Sequence, residues 1–151
     1  MNKYEKVLTE LKDHIIELTN YDPSVRCRKR GYVNSRMLFC KIIDDKYDIS
    51  NNNASKSQLT SEMISCFLKN AINRTIVSRN IKEIENVFIT DKELYEIYIR
   101  LRTRMKIPTD IFDRIDVLNM ERKRLLSELE VVEKNLTIER KKRDIYFGLI
   151  Q

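Results

Sequence analysis

Glycine, proline and tryptophan are scarce in this sequence of 151 residues, which has two glycines, two prolines and no tryptophan. Sandwiches and barrels need many turns, and turns favour glycine and proline, so the composition argues against an all-β fold. No apolar run approaches the roughly 20 residues of a membrane-spanning helix, and the start, MNKYEKVLTE, lacks the apolar stretch of a signal peptide. We therefore expect an all-α protein that works inside the cell without contacting a membrane.

Groups that carry catalysis or bind metals are also few. The three cysteines, Cys27, Cys40 and Cys66, show no C-x-x-C spacing, and we expect Cys40 and Cys66 to lie in apolar surroundings. The single histidine, His14, lies in a helical pattern and is expected to be structural. The sequence has no G-x-x-x-x-G-K-[ST] phosphate-binding loop. We predict that the protein is not an enzyme and holds no metal or cofactor.

Positive charge is concentrated in two segments. The formal net charge is +6, yet residues 26–41 hold six cations and residues 69–82 hold four, and neither segment contains an acid. These thirty residues therefore carry +10, and the remaining 121 carry −4. Such clustering indicates a polyanionic partner, because each phosphate that is neutralised releases counterions. The alternative is that both segments are ordinary solvated surfaces.

Apolar residues recur at helical spacing through most of the chain. The pattern predicts helices over residues 3–19, 31–46 and 58–68. A polar, Asn-rich stretch from Asp44 to Ser57 is predicted to be a loop before the third helix. A fourth helix should begin with Asn73 as its N-cap, and a fifth at Thr90 through a Thr-x-x-Glu capping box. We assign residues 1–107 to this helical domain and residues 108–151 to a long helix that follows Pro108 and runs to Tyr146.

The long helix carries a heptad pattern, with apolar residues alternately three and four positions apart. These residues are Ile111, Ile115, Leu118, Leu125, Leu129, Val132 and Leu136. A parallel homodimer in this register would set Glu128 against Glu133 of the other chain and bury Arg122 and Arg143, which argues against that arrangement. We expect the helix to form a homodimer or bind another protein. An antiparallel pair, a different partner and folding back onto the domain all remain open.

Helices three and four form a candidate helix-turn-helix, in which four residues connect the helices and the second helix enters the DNA major groove. The second helix opens with Asn73, Arg74 and Thr75 and continues to Ser78 and Arg79. These side chains can hydrogen bond to base edges and phosphates. Val77 and Ile81 should point the other way, into the core.

The first hundred or so residues resemble the C-terminal DNA-binding domain of the bacterial replication initiator DnaA, a helical domain built around a helix-turn-helix. The basic loop of that family and the start of the helix after it are similar to residues 28–36, RKRGYVNSR. The family's Asp-His-Ser/Thr-Thr-Val signature, at the start of the recognition helix, falls on residues 73–77, NRTIV. An Ile-Glu pair that follows the signature in the family is present as Ile84-Glu85, and the Thr-Asp-Lys start of the family's last helix is similar to Thr90-Asp91-Lys92. Asn-Arg replaces Asp-His here, Ile76 replaces a small residue, the usual double glycine is missing, and the loop before residue 58 is long.

The resemblance implies that Arg28 reads the minor groove, that Arg36 reaches the DNA backbone or groove edge, and that the start of helix four faces bases and phosphates. The predicted DNA-contacting residues are Arg28, Lys29, Arg30, Arg36, Lys69, Asn73, Arg74, Thr75, Ser78 and Arg79. The ATPase module of an initiator is missing from this chain. We therefore expect a binder of double-stranded DNA that acts in replication initiation or transcription control of a phage or mobile element, in the cytoplasm of a bacterial host. The alternative is a structural or virion-associated protein that works through its long helix and binds nucleic acid only non-specifically.

Overall fold

A computed structural model describes residues 3–50, 59–108 and 111–148, and for residues 111–113 it describes the backbone alone. The described residues form six helices: α1 (Glu5–Thr19), α2 (Arg30–Tyr47), α3 (Ser61–Phe67), α4 (Arg74–Thr90), α5 (Lys92–Arg104) and α6 (Ile111–Tyr146). Among these residues there is no strand. The prediction of an all-α protein with a long C-terminal helix is confirmed.

The chain divides into two compact units, Met1–Thr109 and Asp110–Gln151. The boundary that we expected from the sequence, after residue 107, lies two residues before this division. The first unit holds α1 to α5, and the second holds α6. Within the part of the chain that the structure describes, no helix combines the length and apolar character that a membrane crossing requires.

Helix α2 lies at the centre of the first unit, where it contacts α1, α4 and α5. Its middle turns are fully buried from Leu38 to Cys40 and again at Ile42 and Ile43. Phe39 stacks on Phe67 of α3 with ring centroids 5.7 Å apart, which joins α3 to this core. Burial of this apolar surface from water is the main force that holds the unit together.

Side-chain caps set the starts of three helices. Thr60 accepts a hydrogen bond from the Met63 amide, Asn73 from the Ile76 amide and Asp91 from the Leu94 amide. Asn73 was predicted as a cap, and this prediction is confirmed. The capping box at Thr90 was wrong by one residue, because Thr90 is the last residue of α4 and Asp91 alone connects the two helices.

Three further expectations need correction. The first concerns the predicted loop, because α2 continues to Tyr47; residues 51–58, where that loop was also expected, lie outside the described residues. The second concerns Cys66, which is exposed because α3 buries Ile64 and Ser65 on its other side, whereas Cys40 is buried as expected. The third concerns the bounds of α3 and α5, which begin at Ser61 and Lys92, later than expected.

Candidate nucleic-acid interface

The connection between α3 and α4 is a tight turn of six residues, 68–73, and not four as predicted. Lys69 and Asn70 both adopt left-handed backbone conformations, with φ of 53° and 57°. The buried Ser65 hydroxyl donates a hydrogen bond of 2.6 Å to the Ile72 carbonyl, and the Asn70 amide donates one of 2.9 Å to the Ser65 carbonyl. These bonds fix the turn from within, so that α4 leaves it in one direction and Lys69 is exposed.

Helix α4 has two chemically distinct faces. Val77 and Ile81 are buried, as predicted, together with Asn80, Ile84 and Phe88. The opposite face exposes cations and hydroxyl groups at Arg74, Thr75, Ser78, Arg79 and Lys82. Arg79 has only a loose ion pair with Glu83, at 4.0 Å between exposed groups. The two amino-terminal turns of α4 therefore present polar and positively charged side chains to solvent.

Asn73 precedes these residues and is exposed. Its side-chain oxygen accepts a hydrogen bond of 2.9 Å from the Ile76 amide, which occupies the oxygen as a helix cap. The side-chain amide group takes no part in this bond and can still donate. A bidentate contact with adenine would need both the oxygen and the amide group, so the capping role restricts Asn73 to a single donated bond in this conformation.

The basic segment before α2 exposes four cations, Arg26, Arg28, Lys29 and Arg30. Lys29 stands at the N-cap position of α2, and Arg30 is the first helical residue. Neither residue can favour the helix by charge there, because the amino terminus of a helix carries a partial positive charge. The cluster therefore costs some local stability, and that cost is consistent with a surface that serves binding.

Arg36 departs from the position that the resemblance implies. It is 7% exposed, and its two terminal nitrogens donate hydrogen bonds of 2.8 Å and 2.7 Å to the carbonyls of Val25 and Cys27. Burial lowers the pKa of Arg36 below its usual value, but the group remains charged at neutral pH. Arg36 holds the basic loop in place from inside, so we correct its predicted role as a direct DNA contact.

A second contact joins Tyr21, which precedes the basic loop, to Gly31, which follows it. The Tyr21 ring lies against Gly31 so closely that a methyl group at position 31 would be 2.3 Å from Tyr21 Cζ. Tyr21 also meets the Tyr32 ring edge to face, with centroids 5.0 Å apart. Glycine at position 31 therefore permits the end of α1 to pack on the start of α2, a relation that no local sequence pattern indicates.

Asp22, which precedes the basic loop, is influenced by charges on other elements, including Lys69 in the turn before α4. Burial raises the pKa of the Asp22 carboxyl, but hydrogen bonds from Ser24 and the charges of Lys12 and Lys69 outweigh it, so the pKa is lowered overall. Lys69 belongs to the turn before α4, and Asp22 lies four residues before the first cation of the basic segment. Ser24 therefore contributes most to keeping Asp22 ionised, and the charges of Lys12 and Lys69 add to it.

Not every cation of the two segments is available to a partner. Lys41 lies 3.3 Å from Asp45 and 3.6 Å from Glu85, and Arg36 is internal. The exposed cations that remain are Arg26, Arg28, Lys29, Arg30, Lys69, Arg74, Arg79 and Lys82. Arg26 and Lys82 were not among the predicted contacts, although their place in the two segments without acids was a signal for them.

The predicted association residues lie on α6. Six of them, Ile115, Leu118, Leu125, Leu129, Val132 and Leu136, are exposed by 47% to 63%. Ile111 also lies in α6, but its side chain is outside the described residues. Apolar residues also occur at Val131, Ile138 and Ile145, so that α6 carries more apolar surface than one seam.

Among the described residues, no group of His, Cys, Asp and Glu side chains could hold a metal ion. His14 is partly buried, with Nε2 3.7 Å from Glu10 Oε1 and Nδ1 3.4 Å from Arg104 Nη1.

A comparison with protein-family models, curated proteins and solved structures finds no significant match to the chain.

Proposed function

We propose that the protein binds double-stranded DNA through the α3–α4 helix-turn-helix and the adjacent basic loop. The observation that carries the proposal is the solvent face of α4, where Arg74, Thr75, Ser78, Arg79 and Lys82 are exposed and residues 69–82 include no acid. A folded domain gains nothing from a cluster of like charges, because they repel one another. A polyanion offsets that repulsion and gains free energy from released counterions.

In the proposed complex, α4 lies in the major groove with its amino terminus toward the bases. Arg74 can form two hydrogen bonds with a guanine, and the Thr75 methyl group can contact a thymine. Asn73 caps the Ile76 amide, which leaves the first N–H groups of the helix facing outward, where a phosphate is favoured by the helix dipole. Lys69, in the turn, would bind the DNA backbone beside them.

The basic loop supplies the second contact of the proposed complex. Arg28, Lys29 and Arg30 would bind phosphates, with Arg28 entering the adjacent minor groove as the resemblance to the DnaA domain implies. Arg36 acts on this contact indirectly, because it fixes the loop through the Val25 and Cys27 carbonyls. Such a fixed loop loses less conformational entropy on binding than a free one.

The biological setting follows from the resemblance. On that resemblance we propose a role in replication initiation or transcription control of a phage or mobile element in a bacterial cytoplasm. The exposed apolar residues of α6 favour a second candidate. In that alternative, a structural or virion-associated protein uses α6 as its main interaction surface and binds nucleic acid non-specifically.

A selection of bound duplexes from a random pool, followed by affinity measurements at several salt concentrations, tests the first proposal. We expect one enriched sequence, and we expect Arg74→Glu to lower affinity for it by about tenfold or more, because a bidentate contact with a base contributes ~1–3 kcal/mol. The matched control is Arg100→Glu, which reverses the charge of an exposed arginine on α5. It should leave the affinity within about twofold of wild type, because salt screens an exposed charge that does not contact the DNA.

Equal binding to every duplex would favour the second candidate. Equal losses from Arg74→Glu and Arg100→Glu would mean that net charge, and not the α4 surface, carries the binding. Absence of binding at low salt would exclude both forms of nucleic-acid binding.

A further inference from the structure

Helix α6 carries an apolar seam along most of its length, and the seam is exposed. The helix has 36 residues, which corresponds to about 54 Å. Leu118, Leu125, Leu129 and Val132 are each more than half exposed. A seam of this length left in water loses the hydrophobic free energy that a partner helix would recover.

Charged residues within and beside the seam determine which partner fits. Arg122, Glu139 and Arg143 occupy seam positions, and Glu121, Glu128 and Lys142 lie beside the seam. In a parallel pair, each seam residue meets its own copy, so Arg122 would face arginine and Glu139 would face glutamate. The parallel arrangement is therefore unfavourable at both positions.

We propose that α6 binds α6 of a second copy of this chain as an antiparallel coiled coil centred between Glu130 and Val131. Reversal of one helix in this register brings Arg122 opposite the partner's Glu139. Symmetry forms this contact twice in each dimer. Both charged residues that interrupt the middle of the seam are thereby neutralised by the partner.

The same register also places the apolar seam residues of the two helices opposite one another, in layers. Leu129 meets the partner's Val132, and Leu125 meets the partner's Leu136. By symmetry these two layers occur twice, and they form a continuous apolar centre. Toward the ends of the pair, Ile115 meets the partner's Tyr146, while Leu118 meets the aliphatic stem of the partner's Arg143, whose guanidinium can extend to water.

Charges beside the seam agree with this register. Glu121 faces the partner's Lys142, and Glu128 faces the partner's Asn135, so that neither contact is repulsive. Within one helix, Glu121 lies 3.3 Å from Arg124, and Lys142 lies 2.9 Å from Glu139. The Lys142–Glu139 pair is exposed, and exposed pairs contribute little, so its exchange for a contact across the dimer costs little. The Glu121 carboxylate has two oxygens, so it can keep its bond to the buried Arg124 and also accept one from the partner's Lys142.

Antiparallel registers shifted by one heptad in either direction are less favourable, because they oppose like charges and place a charged residue against an apolar one. A shift one way places Glu128 against the partner's Glu128 and leaves Arg122 opposite the partner's Val132. A shift the other way places Glu133 against the partner's Glu133 and Glu139 opposite the partner's Leu129. Charge complementarity therefore selects one antiparallel register among the three.

Sedimentation equilibrium of the full chain tests the inference through an exchange of charges. We expect the wild type to be a dimer. We expect Arg122→Glu to raise the dimer dissociation constant by about tenfold or more, because each dimer would then contain two contacts between the new glutamate and the partner's Glu139. The double variant Arg122→Glu, Glu139→Arg should restore the constant to within about threefold of wild type, because the pair is re-formed with its charges exchanged. In a parallel dimer the double variant would keep like charges opposed at both positions and would not recover.

Lys141→Glu is the matched control, because it makes the same charge change at an exposed position on the outer side of α6. It should leave the dissociation constant within about twofold of wild type. A wild type that is monomeric at about 100 times the concentration used for DNA binding, a trimer or tetramer, or a double variant without recovery would each overturn the inference. The inference does not depend on DNA binding, since a dimer that ignores DNA would contradict only the proposed function.

Discussion

Replacement of Arg36 by methionine is the change that best separates a structural role of the basic segment from a direct one. Methionine fills much of the same volume but cannot donate to the carbonyls of Val25 and Cys27, which now receive hydrogen bonds of 2.8 Å and 2.7 Å. The side chain is 7% exposed, so water cannot replace both donors without movement of the loop. We therefore expect Arg36→Met to destabilise the first unit.

The magnitude follows from the two bonds and from the cost of burying the charge. A hydrogen bond to a charged group contributes about 1.5–3 kcal/mol, so two of them contribute about 3–6 kcal/mol. Desolvation opposes this, as the lowered pKa of Arg36 indicates. Burial that methionine avoids offsets about 1–2 kcal/mol of this, which leaves a net loss of about 1–5 kcal/mol. For a domain of this size that loss lowers the midpoint of thermal unfolding by about 5–25 °C.

Thermal unfolding followed by circular dichroism measures this loss, and DNA affinity is measured well below the midpoint. Arg79→Met is the matched control, because the Arg79 ion pair is exposed and 4.0 Å long. It should change the free energy of unfolding by less than about 0.5 kcal/mol but lower the salt dependence of DNA binding by about one phosphate contact. If Arg36→Met left thermal unfolding unchanged and removed one phosphate contact, Arg36 would bind DNA directly and our correction would be wrong.

Three further predictions concern the packing of the first unit. Gly31→Ala should stabilise a Tyr21→Ala variant by about 0.5–1 kcal/mol in urea unfolding, because alanine favours helix, but should not stabilise the wild type, where the Tyr21 ring occupies the space; equal effects in both backgrounds would contradict the packing. Tyr98→Phe should lower the free energy of unfolding by about 1.5–3 kcal/mol, because the Tyr98 hydroxyl donates a 2.5 Å bond to the partly buried Asp45 carboxylate. Tyr146→Phe, at a site 84% exposed, should cost nothing measurable. Burial raises the pKa of the Asp45 carboxyl above 3.8 despite the opposing effects of Lys41 and Tyr98. The folded state therefore binds this proton more tightly than the unfolded chain, and the stability that protonation contributes is lost as pH rises through the raised pKa. Asp45→Asn should remove that loss, and parallel plots of the free energy of unfolding against pH for the two proteins would refute it.

The helices could be predicted from the sequence because their signals are local. Apolar spacing locates α1, α2 and α4, and the side chain of Asn73 marks the start of α4 by a bond to a residue three positions later. The prediction at Thr90 was wrong because two capping residues stand side by side and only the length of the connection decides between them. Local signals fix an element to within a few residues, and no further.

The parts that could not be predicted depend on residues far apart in the chain. Arg36 is one of six cations in its segment, and only the path of the loop around it shows that it faces inward. Lys41 pairs with Asp45, four positions away, and with Glu85, 44 positions away, and only the second of these pairs depends on how the chain folds. A charge count along the sequence therefore overstates the surface that a polyanion can reach, and folding decides which cations remain available.

Contacts with α2 fix the basic loop, and this bears on how the proposed surface would work. Arg36 ties the loop to α2, and the Tyr21 ring packs on Gly31 at the start of α2. The charge of Lys69, in the turn before α4, also favours the ionised form of Asp22 at the start of the loop. Because two contacts fix the loop on α2, its cations can meet phosphates at a smaller ordering cost than those of a free loop. If α6 pairs as we infer, a second copy of this surface is attached to the first, and occupation of one DNA site raises the effective concentration of the other copy at a neighbouring site.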